Sequence, residues 1–135
     1  MSQAGTKTIT VLLVDDHDIL RDGLAVVMSE FSDIKVVGTA ASGWDAIDQC
    51  AALQPDVVLM DILMPDIDGL SATRIIRERH PTTRVVVLTS FEEEHLITSA
   101  KEAGASGYLL KNVSIDELAN AVRDAYLGNP GTFPR

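Results

Sequence analysis

The amino-acid sequence predicts an α/β fold, in which helices cover both faces of a five-stranded parallel sheet. Five short aliphatic stretches alternate with five stretches whose apolar residues recur at helical spacing. Such alternation with short connections is typical of parallel strands joined by right-handed crossovers. At 135 residues, the chain has the size of one domain.

The predicted strands are apolar stretches that end at polar or turn-forming residues. They cover residues 9–14, 34–39, 57–61, 84–89 and 107–111. The predicted helices cover about 18–30, 42–53, 70–80, 92–103 and 114–126. Ser42 with Asp45 and Ser114 with Glu117 are typical of helix N-termini. The acids at 92–94 would form the first turn of the fourth helix, at the positive end of its dipole.

The chain divides into three parts. Residues 1–8 are expected to be a disordered tail, residues 9–127 to form the domain, and residues 128–135 to begin a linker.

The N-terminal residues lack the apolar core of a signal peptide, and no segment is long enough to span a bilayer. Cys50 is the only cysteine, which excludes an internal disulfide and favours a cytoplasmic location. A formal net charge of -9 argues against nucleic-acid binding by this chain alone.

Polar side chains stand at the carboxyl ends of four predicted strands. Asp15 and Asp16 follow the first strand, and Asp61 ends the third. Thr89 ends the fourth strand, and Lys111 ends the fifth. The carboxyl ends of parallel strands lie at one edge of the sheet, where open α/β sheets bind their ligands. We therefore expect these side chains to meet in one crevice.

This set of groups predicts phosphoryl chemistry. Clustered carboxylates repel one another unless a cation lies between them, and Mg²⁺ prefers oxygen ligands. Lys111 would pair with a phosphoryl oxygen, and the hydroxyl of Thr89 would donate a hydrogen bond to the same group. A carboxylate that faces Mg²⁺, an ammonium and a hydroxyl is equipped to accept a phosphoryl group. Asp61 is the candidate acceptor.

Each of these residues also has a purely structural explanation. An Asp after a strand is commonly a turn former or a helix cap, and Asp15 with Asp16 could simply cap the first helix. His17 could be a metal ligand or a base, but Mg²⁺ prefers oxygen, so we favour its being the residue that starts the helix. The joint pattern favours function, because every polar group follows an apolar stretch and all of them lie at one sheet edge.

Four motifs together resemble the receiver domain of two-component response regulators. They are Val-Asp-Asp-His at 14–17, Met-Asp-Ile-Leu-Met-Pro at 60–65 with Gly69, Leu-Thr-Ser at 88–90, and Gly-Tyr-Leu-Leu-Lys at 107–111. The resemblance covers about residues 9–127 and implies a flavodoxin-like sheet with strand order 2-1-3-4-5. Further motifs resemble the NarL/FixJ (LuxR-type) sub-family. These are Arg-x-Gly-Leu at 21–24, Val-Val-Gly at 36–38 and the stretch 103–111.

The resemblance implies a magnesium site. Asp16 and Asp61 would ligate Mg²⁺ directly, and the backbone carbonyl of Leu63 would be a third protein ligand. Asp15 would act mostly through a bound water.

The resemblance also implies a phosphoryl switch. Asp61 would take a phosphoryl group from a phosphohistidine on a sensor histidine kinase, and Lys111 would pair with the phosphoryl oxygens. Thr89 would move towards the phosphoryl group and hydrogen-bond to it, and Tyr108 would change its rotamer at the same time. The chain would then be no enzyme, apart from its self-phosphorylation and self-dephosphorylation.

The implied output is a change of partner. The kinase would dock near the first helix, and phosphorylation would favour a homodimer. The dimer face would comprise the first and fifth helices, or the fourth helix with the fifth strand and fifth helix. Transcription would be controlled through a helix-turn-helix DNA-binding domain that is absent from this chain. A stand-alone receiver in a phosphorelay is the alternative.

Three other classes of protein fit less well. An aspartyl-nucleophile phosphohydrolase would typically have a second acid where this chain has Leu63. A nucleotide-binding domain would have a Gly-rich loop after the first strand, and acids occupy that place. A receiver-like domain that binds partners without phosphorylation is disfavoured, because every expected polar residue is present.

The sequence departs from many receivers at three positions. Asn112 replaces a proline that commonly follows the lysine, which leaves the geometry of the 111–112 peptide bond open. Leu63 and Phe91 stand two residues after the acceptor and after the threonine of the fourth strand. Some receivers have polar side chains there that help to place a water. We expect this apolar pair to shield an acyl phosphate and slow its loss.

Overall fold

The structure is a computed structural model that describes residues 8–131 and 133–134, and it contains five strands that alternate with five helices. In chain order, they are β1 (Ile9–Val14), α1 (Asp18–Met28), β2 (Ile34–Ala40), α2 (Gly43–Leu53), β3 (Val57–Met60), α3 (Gly69–Arg79), β4 (Arg84–Thr89), α4 (Glu94–Ala103), β5 (Gly107–Leu110) and α5 (Ile115–Leu127). All strand pairs are parallel, in the order β2-β1-β3-β4-β5. The predicted α/β fold and its flavodoxin-like strand order are confirmed.

Most predicted bounds agree with the structure to within two residues. Asp61 and Lys111 lie one residue beyond β3 and β5, in the loops rather than in the strands. The predicted disordered tail lies outside the described residues, except for Thr8, which is exposed. Within the described part of the chain, no helix combines the length and the apolar character that crossing a bilayer requires.

The prediction for the start of α4 is wrong. Of the three consecutive acids, only Glu94 lies in the helix, and Glu93 is the extended residue that precedes it. The backbone of Phe91 accounts for the late start. Its N–H donates to the Thr89 hydroxyl at 3.3 Å, and its carbonyl accepts a hydrogen bond from the Tyr108 hydroxyl. These bonds hold the loop before α4 in a non-helical conformation.

Aliphatic side chains fill the space on both faces of the sheet. One buried cluster joins the sheet to α1 and α5, with Met28 and Leu118 among its members. Two clusters lie on the opposite face, where Ile47 of α2 and Ile76 of α3 belong to one and Ile97 of α4 to the other. Burial of apolar side chains on both faces keeps the sheet rigid at the edge where its carboxyl ends meet.

Gly69 closes the loop after β3 against the backbone of the candidate acceptor. Its N–H donates to the carbonyl of Ile62 at 2.8 Å. A Cβ at this position would lie 1.8 Å from the carbonyl oxygen of Asp61, a distance that no side chain can occupy. The preceding residue, Asp68, caps α3 by accepting two hydrogen bonds from N–H groups of its first turn. The loop is therefore fixed by its contact with Asp61.

We expect opposite effects from adding a methyl group at two glycines. Gly69→Ala should lower the free energy of unfolding by roughly 3 kcal/mol, because the loop must move away from Asp61. Gly23→Ala should raise it by about 0.8 kcal/mol, because Gly23 is an exposed residue of α1 with no atom within 4 Å of the added group. Urea unfolding followed by circular dichroism measures both changes. Equal effects at the two positions would contradict this account of Gly69.

Candidate functional site

Two buried carboxylates and a largely buried ammonium meet at the carboxyl edge of the sheet. Asp15 follows β1, Asp61 follows β3 and Lys111 follows β5. The Lys111 Nζ atom lies 2.8 Å from Oδ2 of Asp15 and 3.2 Å from Oδ2 of Asp61. The exposed fractions of the three side chains are only 11%, 6% and 17%, respectively. The predicted convergence of these residues, which are far apart in sequence, is confirmed.

Backbone hydrogen bonds place these residues just past their strands. The N–H of Asp61 donates to the carbonyl of Val14 at 3.0 Å, which continues the pairing of β3 with β1. The N–H of Lys111 donates to the carbonyl of Thr89 at 2.9 Å, which continues the pairing of β5 with β4. The Oδ1 atom of Asp61 accepts from the N–H of Ile62 at 2.8 Å, so both of its carboxylate oxygens have donors.

The side chain of His17 contacts Asp15 and Asp16, whereas the sequence favoured only its being the residue that starts the helix. It precedes α1, as predicted, but its side chain makes no capping hydrogen bond. Instead its Nδ1 atom lies 3.0 Å from Asp15 Oδ1 and 3.2 Å from Asp16 Oδ1. The only signal in the sequence was adjacency to the two acids. The imidazole therefore contacts the acidic cluster from its solvent side.

The acidic cluster fits a divalent cation. Asp15, Asp16, His17 and Asp61 each offer one ligand atom, and these atoms all lie within 4.8 Å of one another. The three carboxylates and the ammonium of Lys111 leave two negative charges, which one divalent cation would balance. Asp16 is exposed, so water can complete the coordination that Mg²⁺ requires. The predicted oxygen donors are thus at hand, while a contribution from the Leu63 carbonyl stays a prediction.

The pKa of each buried charge reflects its neighbours. Burial and the negative charge of Asp15 raise the pKa of Asp61, and Lys111 offsets only part of this. Burial also raises the pKa of Asp15, but hydrogen bonds from Lys111 and His17 outweigh it and the net pKa is lowered. Burial lowers the pKa of Lys111, but the two carboxylates outweigh it and the net pKa is raised. Asp61 is therefore the carboxylate whose charge a cation or a covalent change would most relieve.

The two predicted switch residues lie at the end of β4 and within β5. Thr89 and Tyr108 are both fully buried. Both are hydrogen-bonded to the backbone of Phe91. The Thr89 hydroxyl accepts from its N–H, and the Tyr108 hydroxyl donates to its carbonyl. In the described residues, neither side chain is hydrogen-bonded to Asp61. The backbone of Phe91, which no sequence motif connects to them, joins the two.

The structure also answers the question about the bond after Lys111. The described residues contain no cis peptide bond, so the bond to Asn112 is trans.

The two residues of the apolar pair lie in different loops. Leu63 lies in the loop after β3 and is 58% exposed. Phe91 is half-buried in the loop before α4. Whether this apolar pair protects an acyl phosphate stays a prediction.

Comparison with known proteins places these features in a family. The family described as the response regulator receiver domain matches residues 11–123. The response regulator protein VraR of Staphylococcus epidermidis is 46% identical over 120 residues, covering 89% of this chain and 57% of VraR. VraR of Staphylococcus aureus is 46% identical over 121 residues, covering 90% and 58%. The chain thus spans a little over half the length of these relatives.

Solved structures agree with this placement. A LuxR-family two-component response regulator from Aurantimonas superposes with a TM-score of 0.89 at 33% identity, covering 95% of this chain and 91% of that one. The receiver domain of the putative response regulator NarL from Mycobacterium tuberculosis gives 0.87 at 32% identity, covering 91% and 99%. The chain belongs to the response regulator receiver domain family, and its relatives confirm the predicted NarL/FixJ (LuxR-type) sub-family.

Proposed function

We propose that this chain is a phosphorylation-dependent signalling switch, in which Asp61 accepts a phosphoryl group from a phosphohistidine of a sensor histidine kinase. The observation that carries the proposal is the position of Asp61. Its carboxylate is buried at the carboxyl edge of the sheet, beside a second carboxylate and 3.2 Å from the Lys111 ammonium. A nucleophile, a charge-stabilising cation and a cluster of metal ligands therefore share one crevice.

The transfer would exchange one bond for another. A carboxylate oxygen of Asp61 would attack the phosphorus, the bond from phosphorus to the histidine nitrogen would break, and an acyl phosphate would form. Lys111 would pair with the phosphoryl oxygens from the position where it now contacts Asp61. Asp16, Asp61 and the Leu63 carbonyl would hold Mg²⁺, with Asp15 acting through water. When bound, the ion would neutralise charge on the phosphoryl oxygens.

The change would spread through Thr89 and Tyr108. The hydroxyl of Thr89 would release the N–H of Phe91 and donate a hydrogen bond to the phosphoryl group. Tyr108 is bonded to the carbonyl of that same residue, so movement of this backbone would alter the rotamer preference of the tyrosine. The surface made by α4, β5 and α5 would then differ between the two forms. A partner that distinguishes these surfaces would read the phosphorylation state.

The structure favours one of the two faces for a homodimer. An open groove of about 430 Å³ lies between α1 and α5, and its lining is mostly apolar. Its members include Leu20, Val27 and Ile115. Ile19 also lines this groove and is 89% exposed, so it belongs to a contiguous exposed apolar surface. Lys111 also borders the groove, so the groove and the site share a residue. We therefore place phosphorylation-dependent dimerisation on α1 and α5, with kinase docking near α1.

The output of the whole protein would be transcriptional. The relatives extend well beyond the length that this chain matches, and one structural neighbour is a DNA-binding response regulator of the LuxR family from Staphylococcus aureus, at 25% identity. We propose that a helix-turn-helix domain carries DNA binding in the full regulator, in the cytoplasm. The acidic receiver itself would not bind nucleic acid. A stand-alone receiver in a phosphorelay is the alternative.

Acetyl phosphate tests the acceptor assignment directly. In the presence of Mg²⁺, intact-mass measurement should show that the wild type gains one phosphoryl group and that Asp61→Asn gains none, because the amide is no nucleophile. Asp22→Asn, which changes an exposed acid of α1, should label like the wild type. Removing Mg²⁺ with a chelator should abolish the gain of the phosphoryl group by the wild type. Equal labelling of Asp61→Asn and the wild type would overturn the assignment.

The lifetime of the phosphoryl group tests the role of the apolar pair. The double variant Leu63→Asn with Phe91→Glu should lose its phosphoryl group faster by roughly tenfold, because polar side chains can position an attacking water. The measurement is the decay of the phosphorylated mass after removal of the donor. Leu53→Asn, at an exposed leucine of α2, is the matched control and should decay like the wild type. An unchanged rate in the double variant would refute the shielding hypothesis.

A further inference from the structure

Described residues that follow α5 contact α4 and the residue before β5. Gly128 ends α5 in the left-handed conformation, with φ of 74°. Gly131, Phe133 and Pro134 then contact the domain again, and we call these three residues the C-terminal strap. The sequence predicted only the start of a linker here. The strap contacts are therefore a finding of the structure.

Two contacts attach the strap to α4 and to Ser106, the residue before β5. A Cβ at Gly131 would lie 1.7 Å from the carbonyl oxygen of Ser106, so the strap backbone lies directly against the residue before β5. The ring of Phe133 lies 4.8 Å from the Nζ atom of Lys101, in the last turn of α4. Such a cation–π contact is favourable even at exposed sites. The strap thus connects β5 to α4.

The ring of Phe133 also covers the apolar cluster that contains Tyr108. Phe133 is half-buried and packs against this cluster, in which Tyr108 and Ala100 are fully buried and Ile97 nearly so. To adopt an exposed rotamer, the ring of Tyr108 would have to leave the cluster between α4 and β5. Its departure would leave a void of the size of the ring next to Phe133, which is unfavourable in a close-packed interior. Docking of the strap and burial of Tyr108 therefore favour each other.

We propose that the C-terminal strap is a latch that holds Tyr108 in its buried rotamer by joining α4 to β5. The latch is a property of the fold, and its regulatory meaning rests on the proposed function of Tyr108 as a switch. Coupling between two sites is reciprocal. A phosphorylation that changes the rotamer of Tyr108 would therefore change the docking of the strap, and tension on the strap would change the rotamer.

Fluorine NMR of fluorotyrosine-labelled protein tests the latch without any phosphoryl donor. Tyr108 and Tyr126 are the two tyrosines of the chain, and Tyr126→Phe assigns their signals. The solvent isotope shift between H₂O and D₂O measures exposure of each ring. We expect a small shift for Tyr108 in the wild type. Phe133→Ala and Gly131→Ala should each increase the exposed population of Tyr108 by roughly fivefold, at the lower end of typical couplings between sites.

Phe31→Ala is the matched control. The ring centroid of Phe31 lies 5.3 Å from the Cζ atom of Arg123, so this variant also removes a cation–π contact. It packs against the cluster of α1 and α5 on the opposite face of the sheet. Its Tyr108 signal should match that of the wild type. An unmoved Tyr108 signal in both strap variants, or an equal change in Phe31→Ala, would overturn the latch.

A second arm separates the latch from the proposed function. The wild type receives acetyl phosphate and Mg²⁺, and its mass is measured. No gain of a phosphoryl group would contradict the proposed function, while the donor-free Tyr108 signals would still decide the latch. A phosphorylated wild type combined with unmoved Tyr108 signals in the strap variants would overturn the latch alone.

Discussion

The contact of one ammonium with two buried carboxylates is the interaction on which the crevice depends. Lys111 lies within 3.2 Å of both Asp15 and Asp61, and all three side chains are largely withdrawn from water. Two carboxylates in such a place are unfavourable unless cations compensate them, and removing one partner of a buried pair leaves an uncompensated charge. The ammonium compensates one charge and leaves Asp61 with a raised pKa. This residual imbalance is what makes the crevice suited to a divalent cation and to a phosphoryl group.

The backbone of Phe91 extends the influence of the crevice to the surface of the domain. It bonds Thr89 on the side of the crevice and Tyr108 on the side of α4 and β5. The cluster around Tyr108 is in turn covered by Phe133. A continuous set of contacts therefore joins Asp61's neighbourhood to the segment that follows α5. In the proposed latch, these contacts set the equilibrium between the buried and the exposed rotamer of Tyr108.

The sequence predicted the features that depend on pattern. Aliphatic stretches gave the strands, and the polar residue at each strand end gave Asp15, Asp61 and Lys111, because a parallel sheet must bring these ends together. Features that depend on particular distant contacts were missed. The side chain of Asp66 accepts hydrogen bonds from the N–H groups of Gly43 and Trp44, a pairing that no periodicity indicates. The late start of α4 and the return of the strap have the same origin, since tertiary contacts decided both.

Carbon NMR of the side-chain carboxyl measures the pKa of Asp61 and so tests whether this residue carries the uncompensated charge of the crevice. Without Mg²⁺, this pKa should lie above the ordinary value for Asp of about 3.9. Mg²⁺ should lower it, because a cation beside the carboxylate favours the ionised form. A pKa at or below the ordinary value, unaffected by Mg²⁺, would contradict the claim that Asp61 carries the uncompensated charge of a cation-binding crevice.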